Sequence, residues 1–259
     1  MKLFQTASKY ILGAIVAFSV LVGAVHAQPP GGIPPTAPPT QDALDALESN
    51  FAMTVIDTPL YISFQSNIVS QPTGLVIHPG GAVDPRAYAP IARKIAGPGY
   101  RVLIMKTPSE LIVAGVLPSL VSVAMISNPD ITKWALGGHS VGGVAAAQYI
   151  FDNPTDARVK GLALWASFVN PAKPISGRVD LKVASIYGTQ DCLVPPATVA
   201  QFAWALPFNT SYVSLDGANH AQWGDYGAQN GDCAATITNG QQKTRGKNAT
   251  IDNVLALIP

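Results

Sequence analysis

Residues 134–143 read WALGGHSVGG and contain the pattern G-x-S-x-G, with Ser140 at its centre. The apolar run 134–137 predicts a short buried strand, and residues 141–151 predict the helix that follows it. A serine in such a turn has its hydroxyl lifted above the sheet, beside the positive end of the helix dipole. The segment therefore predicts a nucleophilic serine. The alternative is a glycine-rich turn without a chemical role.

Short apolar runs alternate with helical patterns along the rest of the chain. The predicted strands cover residues 53–56, 60–65, 74–78, 101–105, 134–137, 160–166, 183–187 and 212–215. The predicted helices cover residues 41–50, 85–96, 110–126, 141–151 and 197–205. Continuous apolar strands that alternate with helices are typical of a parallel sheet covered on both faces. We therefore predict an α/β domain with a mostly parallel sheet, in which ligands bind at the carboxyl ends of the strands.

A nucleophilic serine needs a general base, and the chain has four histidines, at positions 26, 78, 139 and 220. His26 lies in a predicted leader, His139 is part of the serine turn, and His78 ends a strand before it. Domains with this serine turn carry their catalytic residues in the order serine, acid, histidine. This order selects His220 as the base. The alternative is an ordinary loop histidine.

The acid partner must then lie between Ser140 and His220, where the sequence has no glutamate. The candidates are Asp152, Asp156, Asp180, Asp191 and Asp216. Asp191 is favoured because it follows the predicted strand 183–187, at the carboxyl end. There it would hold the imidazole in one tautomer and stabilise the imidazolium. An aspartate in a surface turn is the alternative.

Acyl transfer also needs backbone N–H groups that face the carbonyl oxygen as it gains charge. The amide of Val141, directly after the serine, is one expected donor. The other is expected from the turn after the strand 74–78, in which Pro79 has no N–H. Gly81 and Ala82 both remain candidates for this second donor.

The composition argues against several other classes of function. Only 12% of the 259 residues are charged and the formal net charge is +1, so we expect no nucleic-acid partner. The two cysteines, Cys192 and Cys233, are too few for a zinc ribbon. The sequence has neither a metal-ligand cluster nor a phosphate-binding glycine loop, and no cofactor is expected.

The N-terminal residues have the three parts of a secretory signal. Lys2 and Lys9 precede an apolar run over residues 11–25, and small or medium-sized residues precede Gln28. This run is shorter than the roughly 20 residues that span a bilayer. We predict a cleaved signal peptide over residues 1–27 and no stable membrane anchor. The protein is then expected to be secreted, or periplasmic in a Gram-negative host.

The segment 28–40 reads QPPGGIPPTAPPT and is rich in proline. Such a segment is expected to form an extended linker. No second segment of this kind occurs after it, so residues 41–259 are predicted to form one domain. We expect this domain to be monomeric.

The two cysteines are predicted to form a disulfide. Cys192 directly follows Asp191, and Cys233 lies thirteen residues after His220. Because the acid and the base must meet, their loops share one rim of the sheet and the cysteines can approach each other. An oxidising compartment favours the bond. Two free thiols are the alternative.

Four stretches of the sequence carry a resemblance to a known family. They are residues 78–90 (HPGGAVDPRAYAP), 138–143 (GHSVGG), 185–191 (SIYGTQD) and 219–224 (NHAQWG). Over about residues 50–245 the chain resembles the α/β-hydrolase superfamily, and within it the branch called α/β-hydrolase fold family 5. The resemblance implies a serine hydrolase and assigns nucleophile, acid and base to Ser140, Asp191 and His220. Cys192 departs from it, because a small residue is expected there.

The segment between the predicted strands 160–166 and 183–187 is too short for a helical lid, so an open site is expected. Tyr88, Trp223 and Tyr226 are candidate walls for a small ester substrate. Core packing is the alternative for each of these aromatic residues.

Two asparagines, Asn209 and Asn248, begin N-x-S/T sequons and are candidate glycosylation sites. Together the sequence observations predict a secreted serine hydrolase that cleaves carboxylic esters through an acyl-enzyme. Two alternatives stay open at this point. One is a peptidase or amide hydrolase with the same triad, and the other is a non-catalytic binding protein with a hydrolase fold.

Overall fold

The computed structural model describes residues 37–115 and 120–259, and within them eight strands form one sheet. The strands are β1 (Met53–Asp57), β2 (Tyr61–Ser66), β3 (Thr73–His78), β4 (Arg101–Met105), β5 (Lys133–His139), β6 (Val159–Trp165), β7 (Lys182–Gly188) and β8 (Ser211–Leu215). Their order is β1-β2-β4-β3-β5-β6-β7-β8. β1 pairs with β2, and β2 with β4, in antiparallel fashion, and the other pairs are parallel. The predicted mostly parallel sheet is confirmed.

Helices cover both faces of this sheet. The α-helices are α1 (Gln41–Asp45), α2 (Ala89–Ala96), α3 (Ser109–Val113), α4 (Val121–Ile126), α5 (Val141–Asp152), α6 (Pro196–Gln201) and α7 (Asn239–Asn253). Short 3₁₀ helices cover Pro85–Tyr88, Ala203–Ala205, Ala221–Trp223 and Leu255–Leu257. Helices α2 and α7 contribute to the core on one face, and α4 and α5 to the core on the other. Burial on both faces explains why β3 and β5 are almost continuously apolar.

One predicted helix is divided in the structure. The sequence predicts a helix over 110–126, whereas α3 ends at Val113 and α4 begins at Val121. Gly115 follows the first helix with a φ of 71°, which is the left-handed conformation that ends helices. The sequence prediction was wrong here because apolar residues continue through the break.

Helix α7 was not predicted, because its buried positions are mostly polar or small. They are Gln242, Lys243, Gly246, Ala249 and Thr250. A helix of this kind lacks the apolar stripe by which an amphipathic helix is recognised in a sequence. The available signal was local, since Thr238 and Gln241 form a capping box at its N-terminus.

The segment 166–181, between β6 and β7, contains neither a helix nor a strand. The expectation that no helical lid lies there is confirmed.

The predicted signal peptide and residues 28–36 of the predicted linker lie outside the described residues. Residues 37–40 are hydrogen-bonded to the domain, since Ala37 donates its N–H to the carbonyl of Ala82. Over 37–115 and 120–259, none of the helices is long and apolar enough to cross a membrane.

Candidate active site

The backbone is sharply bent at Ser140, which has a φ of 53° and directly precedes α5. A non-glycine residue in this conformation costs on the order of 1–3 kcal/mol and is held by its surroundings. Here the Ser140 N–H donates to the Trp165 carbonyl over 2.9 Å, and the Ser167 hydroxyl donates to the Ser140 carbonyl over 2.6 Å. Gly142 has no room for a side chain, because a Cβ there would overlap the carbonyl oxygen of His78. The half-buried serine is therefore held in a strained turn at a helix N-terminus.

Asp191 and His220 meet through a buried hydrogen bond of 2.9 Å between Oδ2 and the ring Nδ1. The second carboxylate oxygen of Asp191 accepts the N–H groups of Leu193 and Val194 at 2.9 and 2.7 Å. The carboxylate therefore fixes a proton on Nδ1, which leaves a lone pair on Nε2. Nε2 is buried and has no hydrogen-bond partner among the described residues.

The other acid candidates are engaged elsewhere. Their partners are Lys173 for Asp152, Arg158 for Asp156, Arg178 for Asp180 and Thr189 for Asp216. Of the five aspartates between the serine and the histidine, Asp191 is thus the one whose carboxylate contacts the His220 ring.

A second histidine lies beside the candidate base. The ring centroids of His139 and His220 are 4.4 Å apart. The Tyr88 hydroxyl accepts the N–H of Gly80 at 2.8 Å and is hydrogen-bonded to Nδ1 of His139 over 2.9 Å. Burial lowers the pKa of His139 well below its usual value, and the electrostatic interaction with the neighbouring His220 ring lowers it further. His139 is therefore neutral at neutral pH and links the serine turn to the turn after β3.

The turn after β3 carries the candidate oxyanion donors. Its N–H groups differ in their partners, because Gly80 donates to Tyr88 and Ala82 donates to a carboxylate oxygen of Glu110. The N–H of Gly81 has no hydrogen-bond partner among the described residues. A Cβ at Gly81 would lie 3.0 Å from Oε1 of Glu110 and 3.1 Å from Cγ1 of Val141, so these side chains leave little space there. Ala82 itself has a φ of 51°, so this turn is strained as well.

Glu110 was not identified by the sequence analysis. It lies in the first turn of α3, just after the carboxyl end of β4. The Ser109 hydroxyl donates to the Pro79 carbonyl over 2.7 Å and ties the helix to the same turn. The signal that could have found Glu110 is its position, since acidic side chains after a strand's carboxyl end lie at the ligand-binding edge of such sheets.

The three aromatic residues expected at the substrate walls are packed in the core. Tyr88 and Trp223 are fully buried, and Tyr226 is 9% exposed. Trp223 stacks on Trp165 with ring centroids 5.3 Å apart. All three side chains therefore pack in the core, as the alternative interpretation expected.

The sequon residues Asn209 and Asn248 are exposed.

A disulfide joins Cys192 and Cys233, whose Cα atoms are 5.3 Å apart. The predicted pairing is confirmed, and both cysteines are exposed. No group of three or more His, Cys, Asp or Glu side chains within 37–115 and 120–259 is arranged to hold a metal ion.

Comparison with known proteins agrees with the fold. The family model described as "Alpha/beta hydrolase family" matches residues 74–244, which include all of the candidate catalytic residues. A crystal structure described as a putative dienelactone hydrolase from Klebsiella pneumoniae subsp. pneumoniae has the same fold, with a TM-score of 0.52 and 16% sequence identity. The similarity covers 78% of this chain and 97% of that one. No curated protein matches the sequence. Because the family model spans more than half of the chain and the fold agrees with it, the protein belongs to the alpha/beta hydrolase family.

Proposed function

We propose that this protein is a secreted serine hydrolase that cleaves carboxylic esters through an acyl-enzyme on Ser140. One observation carries the proposal. Asp191 and His220 form a buried hydrogen-bonded pair at the sheet edge where the strained turn presents Ser140. An aspartate on one ring nitrogen leaves the other free to accept a proton, which is the arrangement that a serine nucleophile requires.

The steps follow from these atoms. Nε2 of His220 takes the hydroxyl proton as Oγ of Ser140 attacks the ester carbonyl, and Asp191 stabilises the resulting imidazolium. The tetrahedral intermediate then collapses, the C–O bond to the alcohol breaks, and His220 returns the proton to the leaving oxygen. Water, deprotonated by the same histidine, attacks the acyl-enzyme. Collapse of the second intermediate releases the acid and restores the serine.

The developing oxyanion is assigned to the N–H groups of Val141 and Gly81. Val141 begins α5, where the first N–H groups of a helix have no partner within it. Gly81 is preferred over Ala82 because the Ala82 N–H already donates to Glu110. Backbone donors held in place before the reaction are the usual means of stabilising such an anion.

Three features support export and an accessible site. The N-terminal signal pattern and the Cys192–Cys233 disulfide both fit an oxidising compartment. The segment 166–181 provides no helical lid. We therefore propose that short, soluble esters are better substrates than emulsified long-chain esters.

Labelling with a fluorophosphonate, followed by hydrolysis of p-nitrophenyl esters from acetate to palmitate, tests the proposal. The wild-type protein is expected to be labelled and to prefer short acyl chains. Ser140→Ala should lose both properties, whereas Ser214→Ala, which changes an exposed serine on β8, should keep them. Absence of labelling in the wild type would support a non-catalytic binding protein. Labelling with cleavage of amides but not esters would support the peptidase alternative.

A further inference from the structure

The carboxylate of Asp232 is bonded to three backbone N–H groups from two separate loops. Oδ1 accepts from Cys192 at 3.3 Å and from Cys233 at 2.9 Å. Oδ2 accepts from Ala221 at 2.8 Å. None of the ion pairs among the described residues involves Asp232, so its charge is directed at these amides.

Two of these amides lie directly beside the proposed catalytic residues in the sequence. Cys192 is the residue after Asp191, and Ala221 is the residue after His220. A single carboxylate therefore holds the peptide groups that directly follow the proposed acid and the proposed base. The Asp191–His220 hydrogen bond lies between those two points of attachment.

We propose that Asp232 is a positioning residue for the catalytic pair, which sets the distance and angle between the Asp191 carboxylate and the His220 ring. This inference rests on the function proposed above. Asp232 contacts neither the ring nor the substrate and acts through the two loops. Hydrogen bonds from backbone N–H groups to an ionised carboxylate are about twice as strong as neutral ones, which suits it to this role.

The neighbouring disulfide joins a different pair of segments. It links Cys192 to Cys233, which is adjacent to Asp232, and leaves the residues after His220 without a covalent tie. On the side before the catalytic residues the two loops are joined by the backbone, since Gln190 donates its N–H to the Ala218 carbonyl over 2.9 Å. On the side after them, the Asp232 carboxylate makes the connection between Cys192 and Ala221. Reduction of the exposed disulfide is therefore expected to lower activity less than removal of the Asp232 carboxylate does.

The test compares three substitutions in the full secreted chain. Asp232→Ala removes all three hydrogen bonds. Asp232→Asn keeps one acceptor oxygen but turns an NH₂ group toward one of the loops. Asp232→Glu keeps both acceptors on a longer stem. The matched control is Asp156→Asn, which changes a carboxylate that accepts from Arg158 and Tyr149 at the far end of α5.

The readouts are kcat and KM for a short p-nitrophenyl ester and the rate constant of fluorophosphonate labelling, measured well below the unfolding temperature of each variant. Asp232→Ala and Asp232→Asn should lower kcat and the labelling rate by roughly 10–100-fold, with KM nearly unchanged, because a misplaced catalytic group costs rate rather than binding. Asp232→Glu should recover part of the loss. Asp156→Asn should lower the unfolding temperature and leave kcat unchanged.

Folded Asp232→Asn protein with a kcat within about twofold of wild type would overturn the inference. If Asp232→Ala does not fold, the Asn and Glu variants still decide the question. An unlabelled wild-type protein would instead contradict the proposed function. Reduction of the disulfide with tris(2-carboxyethyl)phosphine adds a second criterion, since a larger loss on reduction than in Asp232→Asn would assign the positioning to the disulfide.

Discussion

The hydroxyl oxygen of Tyr88 lies 2.9 Å from Nδ1 of His139, although the two residues are 51 positions apart in the chain. The same hydroxyl accepts the N–H of Gly80 over 2.8 Å. Tyr88 thus connects the turn that carries the proposed oxyanion donor to a ring in contact with His220. Burial raises the pKa of Tyr88 far above its usual value, so the hydroxyl keeps its proton for this contact.

Tyr88→Phe is expected to lower both stability and kcat. It leaves the buried N–H of Gly80 without its acceptor, which costs about 1–3 kcal/mol of unfolding free energy. The donor turn and His139 also lose their connection, so kcat should fall while KM changes little. Urea unfolding and steady-state kinetics measure the two effects. Tyr149→Phe, which removes a hydroxyl bonded to Asp156 at 2.8 Å, should affect stability alone. An unchanged kcat in Tyr88→Phe contradicts the prediction.

Neutralising Glu110 is expected to accelerate the reaction. Its carboxylate lies against the Gly81 turn, where a negative charge opposes the developing oxyanion. Glu110→Gln keeps an acceptor for the Ala82 N–H and should raise kcat by roughly three- to tenfold. Glu110→Ala releases the turn and should lower kcat. A kcat of Glu110→Gln below that of wild type would contradict the prediction and show that the negative charge of Glu110 assists the reaction.

Acid is expected to destabilise the fold through His78. This residue is fully buried, and burial lowers its pKa from 6.5 to about 4. Between these two values the unfolded chain binds a proton that the folded chain does not. Above about pH 6.5 the histidine is neutral in both states and does not reduce the free energy of unfolding. As the pH falls from 6.5 toward 4, protonation of the unfolded chain lowers that free energy by up to about 3 kcal/mol. Urea unfolding of wild type and His78→Leu at pH 7 and pH 4.5 measures it. The difference between the two pH values should be smaller in the variant.

Lys243 on α7 forms a buried ion pair with Asp225, with an N–O distance of 2.8 Å. Burial lowers the pKa of this lysine, and the charge of Asp225 opposes that shift. Lys243→Ala leaves Asp225 buried and unpaired, so it should cost roughly 3–5 kcal/mol of unfolding free energy. The exposed pair of Lys173 and Asp152 is the control, and Lys173→Ala should cost at most about 1 kcal/mol. Similar losses in the two variants would refute the argument.

Gly142→Ala is expected to disrupt the serine turn. Its methyl group would overlap backbone atoms of His78 and Pro79, which cannot move as a flexible side chain does. The variant should be strongly destabilised, or fold with the turn displaced and little fluorophosphonate labelling. Gly177→Ala is the control, because a Cβ there meets nothing within 4 Å. It should fold and react as wild type does. A stable, fully reactive Gly142→Ala variant is the contrary result.

The sheet and the serine turn were predictable from the sequence because local patterns specify both. Continuous apolar runs indicate strands buried on two faces, and the glycine spacing around Ser140 indicates the sharp turn. Chain order and strand ends then led to Asp191 and His220, which do form a hydrogen bond. The cysteine pairing followed from the proximity of those two loops.

Other features depended on contacts between distant segments. Helix α7 buries polar side chains whose partners, such as Asp225 for Lys243, belong to other parts of the chain. Glu110 and Asp232 accept N–H groups from loops that carry no periodic pattern. The sequence alone determined where the strands end and which residue types follow them. Only the tertiary structure decided which N–H groups are engaged, because a buried polar group takes its partner from whichever segment the packed fold brings within hydrogen-bond distance.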